Sequence, residues 1–255
     1  MRNVVVLTLA SLREALRDRL LYSLLGLGAV VLGVLALMAP LTLGGREKTF
    51  HDAALAWIHA SALLTMLVLG AWTLHRERER GIWLSVLARP ISRQEYLLGR
   101  LAGLLGTLGL VIGAATLIYL AIGWATRVPL LPGLGTALLY VFLEMSLLAG
   151  IVLLFSTFTG LVMTLFLALA VFAAGHLSAD LLRFAALTES GFLRALALAA
   201  HWLLPHLELY RVRTSLVGGD LPAPGALLGA LGYTLLYFLA LVGAAAAIFA
   251  RREIR

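Results

Sequence analysis

Glu144 is the one acidic residue deep inside an apolar stretch, LGTALLYVFLEMSLLAGIVLLFS. A carboxylate in such surroundings is costly unless it is paired, hydrated or protonated. Two readings stand side by side. It lines a polar path or gate for a substrate, or it is a neutral, hydrogen-bonded acid that locks neighbouring helices. Six histidines raise the question of a metal. His51, His59, His201 and His206 fall toward what the charge distribution makes the outer side. No pair has the i, i+4 spacing that sets two imidazoles on one helical face, cysteine is absent, and only five methionines occur. No metal ligand is expected. Lys48 and Thr49 in GGREKTF invite a phosphate-loop reading, but that loop needs glycine directly before the lysine and again five residues earlier; Glu47 and Thr42 stand there. No Ser-His-Asp set, HExxH or paired carboxylate lies within the apolar stretches. The chain therefore has no assigned catalytic residue and no cofactor of its own.

The elements that must position Glu144 are membrane spans. Mean hydropathy is +0.99 and 62% of the 255 residues are hydrophobic, well above soluble domains. A transmembrane helix needs about 20 apolar residues to cross about 30 Å of hydrocarbon. Six stretches qualify: Leu20–Ala39, Ala53–Leu74, Leu101–Trp124, Leu134–Phe155, Leu161–Ala179 and Pro224–Ala250. The first is too long for a signal peptide, and Glu14 and Asp18 precede it. The expected fold is an all-α, six-span polytopic membrane protein forming one domain over residues 20–255. Residues 1–19 precede it as an amphipathic elbow helix on the inner leaflet, with Leu12, Leu16 and Leu20 on one side and Arg13, Glu14, Arg17 and Asp18 on the other. An outer insertion at about 180–221 contains LRALALAAHWLLP, too short to cross and stopped by Pro205, which suits a re-entrant or interfacial helix.

Charge gives the sidedness. Segments 1–19, 75–100 and 251–255 hold thirteen of the twenty Lys and Arg, and the basic side faces the cytoplasm. Both termini then lie in the cytoplasm. The arginines do not alternate with stacking aromatic residues, so nucleic acid is not an expected partner.

The main internal loop reads HRERERGIWLSVLARPISRQEYLLGR, residues 75–100. Ile82, Trp83, Val86 and Leu87 share a helical face behind Glu77, Glu79 and the intervening arginines. Pro90 ends that helix, and Ser92 with Glu95 forms a capping box that restarts one into the third span. The apolar face needs a cover, from lipid headgroups or from a cytoplasmic partner.

This run resembles the signature of ABC-2 type permeases, the membrane subunits of one class of ABC transporter. The matching positions are Glu77, Glu79, Gly81, Pro90, Ser92, Arg93, Tyr96, Leu97, Gly99 and Arg100; Ile82 stands where the family more often has threonine. HWLLPHLELYRVRTSL is also similar to the proline-then-tyrosine element these permeases carry before the last span. Among them the pattern is most similar to permeases of multicopper and nitrous-oxide reductase maturation. The resemblance implies that residues 76–89 are a coupling helix. Glu77, Glu79, Gly81, Ile82, Trp83, Val86, Leu87, Pro90 and Arg93 would contact a separate ATPase subunit, which supplies ATP and magnesium. It further implies an exporter in a bacterial or archaeal cytoplasmic membrane, and pairing with a second copy or a paralogue. An intramembrane enzyme acting on lipid or peptide, and a scaffold recruiting a cytoplasmic partner, are the alternatives.

Overall fold

The computed structural model describes residues 2–17, 19–38, 45–72, 75 and 93–251. Every regular element among them is helical. An amphipathic helix α1 (Arg2–Ala15) is followed by α2 (Arg19–Met38) and α3 (Arg46–Leu64), which continues through a π turn at Thr65–Leu69. Next come α4 (Arg93–Ala125), α5 (Leu134–Ser156), α6 (Leu161–Gly175) and α7 (Ser178–Leu187). α8 (Gly191–Leu203), a 3-10 turn at Leu207–Tyr210, α9 (Arg213–Gly218) and α10 (Pro224–Arg251) complete the chain.

Among the described residues, four helices are long and apolar enough to cross a membrane: Glu47–Trp72, Glu95–Ala125, Leu134–Ser156 and Pro224–Ile248. The expected fifth span, Leu161–Ala179, is not one straight helix. It breaks after Gly175, and α7 leaves α6 at 63°, so the pair counts as a fifth crossing only as a bent unit. Gly175 permits the break, because Pro205 O lies 2.7 Å from where its Cβ would be and no larger residue fits. Two other expected bounds shift. The second span starts about a turn and a half earlier than Ala53. The described apolar part of the first, Leu21–Leu37, is shorter than the other spans.

α5 is the most enclosed spanning helix and α10 the least, with Leu228, Leu235, Leu236 and Leu239 all facing outward. Close approach depends on small residues, as expected where apolar burial alone does not drive helices together. Gly103 of α4 lies against Ser11 of α1, and Gly150 of α5 against Leu241 and Phe238 of α10. Gly109 and Gly113 of α4 have open space beside them.

The connections gather at two ends. At one, Arg100 donates to Ser11 Oγ, Thr8 donates to Gly99 O, and His75 lies 3.3 Å from Thr164 beside the 156–160 turn. At the other, Arg213 pairs with Asp52, and Leu216 and Leu221 pack on Gly133.

Candidate functional site

Apolar surroundings force each polar side chain to find a partner. Most do so on their own helix: Ser61, Thr65, Thr107, Thr116, Ser146, Ser156 and Thr234 each donate to a backbone carbonyl three or four residues back. Glu144 has no such recourse, since a carboxylate only accepts.

Its side chain is 2% exposed, near the middle of α5. Two imidazoles meet it from different elements. His59 stands near the middle of the Glu47–Trp72 span, with Nδ1 3.6 Å from Glu144 Oε2. His176 occupies the break after α6, with Nε2 2.9 Å from Glu144 Oε1. One donor atom from each residue lies within 4.8 Å of the others. The His176 approach is short but does not follow the N–H direction of the ring. Among the described residues, Oε1 and His176 Nδ1 have no hydrogen-bond partner. Phe172 packs edge-on against His176 at 4.7 Å and holds the ring in place.

The three residues line a cavity of about 400 Å³, with Leu55, Tyr210 and Arg213 among its other walls. Burial pushes the Tyr210 hydroxyl up to about 12, so it stays protonated; it is 2.6 Å from Thr234 Oγ1. At the mouth, Arg213 Nε lies 3.1 Å from Asp52 Oδ1, both half-exposed.

A second histidine pair lies in the 180–221 insertion, where His201 Nε2 is 3.0 Å from His206 Nε2. His201 Nδ1 faces Ser178 O at 2.9 Å, and a carbonyl only accepts, so the proton of His201 is on Nδ1. His206 must then donate from Nε2 and accept at Nδ1 from Tyr233 Oη, 3.4 Å away. The order is Tyr233 to His206 to His201 to Ser178. His51 is tied instead to Tyr119, 2.9 Å away.

Of the residues expected to matter, Glu144 takes the central place. His59, expected toward the outer side, faces it at mid-bundle. His176 was not singled out from the sequence. The signal was available: each of three expected spans carries one ionisable group in an apolar run. Glu77, Glu79, Gly81, Ile82, Trp83, Val86, Leu87 and Pro90 lie outside the described residues, as does Ser92; Arg93 opens α4. Comparison with protein-family models and with curated proteins gives no match to this chain.

Proposed function

We propose that the chain is the permease subunit of an ATP-driven transporter of the ABC-2 type, an exporter in the cytoplasmic membrane of a bacterium or archaeon. A separate ATPase subunit docks on the coupling helix at residues 76–89, with Arg93 among its contacts, and supplies ATP and magnesium. A second copy or a paralogous permease completes the pore.

The observation that carries this reading is α4. It is one unbroken helix of 33 residues, about 50 Å long, beginning directly after the docking segment. α1 is fastened to its first turns through Ser11 and Thr8, and its body packs against α3 and α5, which carry His59 and Glu144. A push delivered at residues 76–93 is therefore passed along a stiff rod to the helices that line the cavity.

Six crossings with both termini on the cytoplasmic side fit the way the connections gather. Arg19, at the start of α2, shares a pocket with Arg100, while Leu32 and Ala36 near its other end join Phe50 and Tyr119. The chain from α6 to α10 starts near His75 and ends with Leu221 against Gly133. On this reading both segments cross, and with α3, α4, α5 and α10 they make six.

An intramembrane enzyme is the second reading, because two imidazoles and a carboxylate facing a cavity could activate water. It also needs a free base, and the carboxylate at the cavity mouth, Asp52, is engaged by Arg213.

The test is whether the neighbouring reading frame encodes a P-loop ATPase and whether that protein co-purifies with this chain. Trp83→Glu puts a charge on the docking face; it abolishes co-purification and leaves membrane insertion intact. Retained binding by that variant, or turnover of lipid or peptide by the chain alone, overturns the permease reading.

A further inference from the structure

We infer that His59, Glu144 and His176 form a binding site for a divalent transition-metal ion of the zinc class, at mid-depth in the bundle. It deepens the reading of Glu144 as a cavity-lining group and rests on that reading only for the membrane setting.

Three observations carry it. The first is the donor set. Two imidazoles and one carboxylate, with a fourth position open to a cavity, suit zinc, copper(II) or nickel(II) rather than magnesium or calcium, which prefer oxygen alone. The second is spacing. Donors held about 2.1 Å from a tetrahedral ion stand about 3.4 Å apart. The two Glu144 contacts are 2.9 Å at Oε1 and 3.6 Å at Oε2, on either side of that value, and with one donor atom taken from each residue the set lies within 4.8 Å.

The third is the failure of the hydrogen-bonding alternative. If the cluster were a locked acid or an ion pair, a ring nitrogen would point at the carboxyl group, with its lone pair toward an O–H or its N–H toward a carboxylate. The His176 ring does not do this, although Nε2 is only 2.9 Å away, and Glu144 Oε1 has no hydrogen-bond partner among the described residues. The Nε2 lone pair points where an N–H would. An electron-pair acceptor placed on it stands beside Oε1 rather than behind it, as an ion does when it is shared by two ligands. The seven buried Ser and Thr hydroxyls compared above are each satisfied on their own helix. Here an almost fully buried carboxylate oxygen is left over, and a dication answers that deficit directly.

The ion would join α3, α5 and the α6–α7 break. Nδ1 of His176 has no outer hydrogen-bond partner, and loss of such support lowers metal affinity by about 10–100-fold. The site is therefore of moderate affinity and exchanges its ion through the cavity.

The test uses the full-length chain, purified in detergent with a tag free of histidine, stripped with EDTA and titrated with cobalt(II) and zinc(II). One equivalent of cobalt is taken up with the strong visible bands of a four- or five-coordinate ion, and zinc displaces it. His201→Ala with His206→Ala leaves the equivalent in place, whereas Glu144→Gln and His176→Ala each weaken binding at least tenfold. Zinc-edge X-ray absorption on the His201/His206 double variant counts two imidazoles, which decides the matter even if a Glu144 variant fails to fold. No stoichiometric uptake, an all-oxygen shell, or an equivalent lost with His201 and His206 overturns the site. Metal uptake is read on this chain alone and ATPase recruitment on the pair, so either can fail while the other stands.

Discussion

The indole of Trp57 on α3 fills the space where a side chain at position 28 of α2 would be. A Cβ on Gly28 would fall 1.8 Å from Trp57 Cε2. This contact fastens α2, the most peripheral of the early helices, to α3 and so to the helix that carries His59.

Gly28→Ala consequently forces the ring out of its seat. Small-to-large changes in a packed interior cost about 1–3 kcal/mol. The loss is expected in unfolding measured in detergent, and Trp57→Leu in the same chain should recover much of it. A cycle showing no coupling between the two positions would mean that α2 does not seat on α3 in this way.

The absence of cysteine makes sidedness directly measurable, since any introduced thiol is unique. Ser190, before α8, and Gly160, before α6, are both exposed. On intact cells a membrane-impermeant maleimide is expected to modify Ser190→Cys, and to modify Gly160→Cys only after permeabilisation. Both labelled from outside, or both protected, would contradict a crossing between them.

The histidine pair in the 180–221 insertion makes stability depend on pH. Burial, then the nearby His201, lowers the His206 pKa below the ordinary 6.5, with Glu208 acting the other way. A lowered pKa means that the unfolded segment takes up a proton before the folded one does. Stability is then complete above about pH 6.5 and falls as the pH drops toward the folded value. The wiring gives the same sign: a second proton on His206, at Nδ1, would face the Tyr233 hydroxyl that donates to that nitrogen. Hydrogen-exchange protection across residues 203–210, taken relative to the intrinsic rate at each pH, should fall between neutral pH and about pH 5.5, where an ordinary histidine is mostly charged. His206→Gln should flatten the profile; an unchanged profile in that variant would place the proton elsewhere.

How much of this was legible from sequence varies with the physics of each signal. Hydropathy found α5 almost to the residue, because a 23-residue helix enclosed by neighbours is apolar on all sides. It ran Leu161–Ala179 together as one span, since composition is blind to a change of direction. At the break Pro205 O lies where a side chain on Gly175 would be, a close approach between residues thirty apart. Metal-ligand reasoning searched for i, i+4 pairs within one helix. His59, Glu144 and His176 come from three elements, so no local spacing could join them. The cost of ionisable groups in apolar spans does not depend on spacing, and that criterion selects all three.

The ion pair between Asp52 and Arg213 ties α9 to α3 beside the Glu144 cavity, whose wall includes Arg213. Half-exposed pairs of this kind contribute about 0–1 kcal/mol, so Asp52→Asn should scarcely change overall stability. Its effect should be local. Ala137, 3% exposed on the cavity wall, is a fitting reporter when changed to cysteine in this cysteine-free chain. With the pair intact, a thiol at position 137 reacts slowly with a polar maleimide. Asp52→Asn frees Arg213 and lets α9 swing, so labelling should speed up several-fold while the unfolding midpoint barely moves. Exchanging the charges, with Asp52→Arg and Arg213→Asp together, should slow it again. If labelling at position 137 ignores all three changes, the mouth is held by the packing of Leu216 and Leu221 on Gly133, and the ion pair is a surface contact without a gating role.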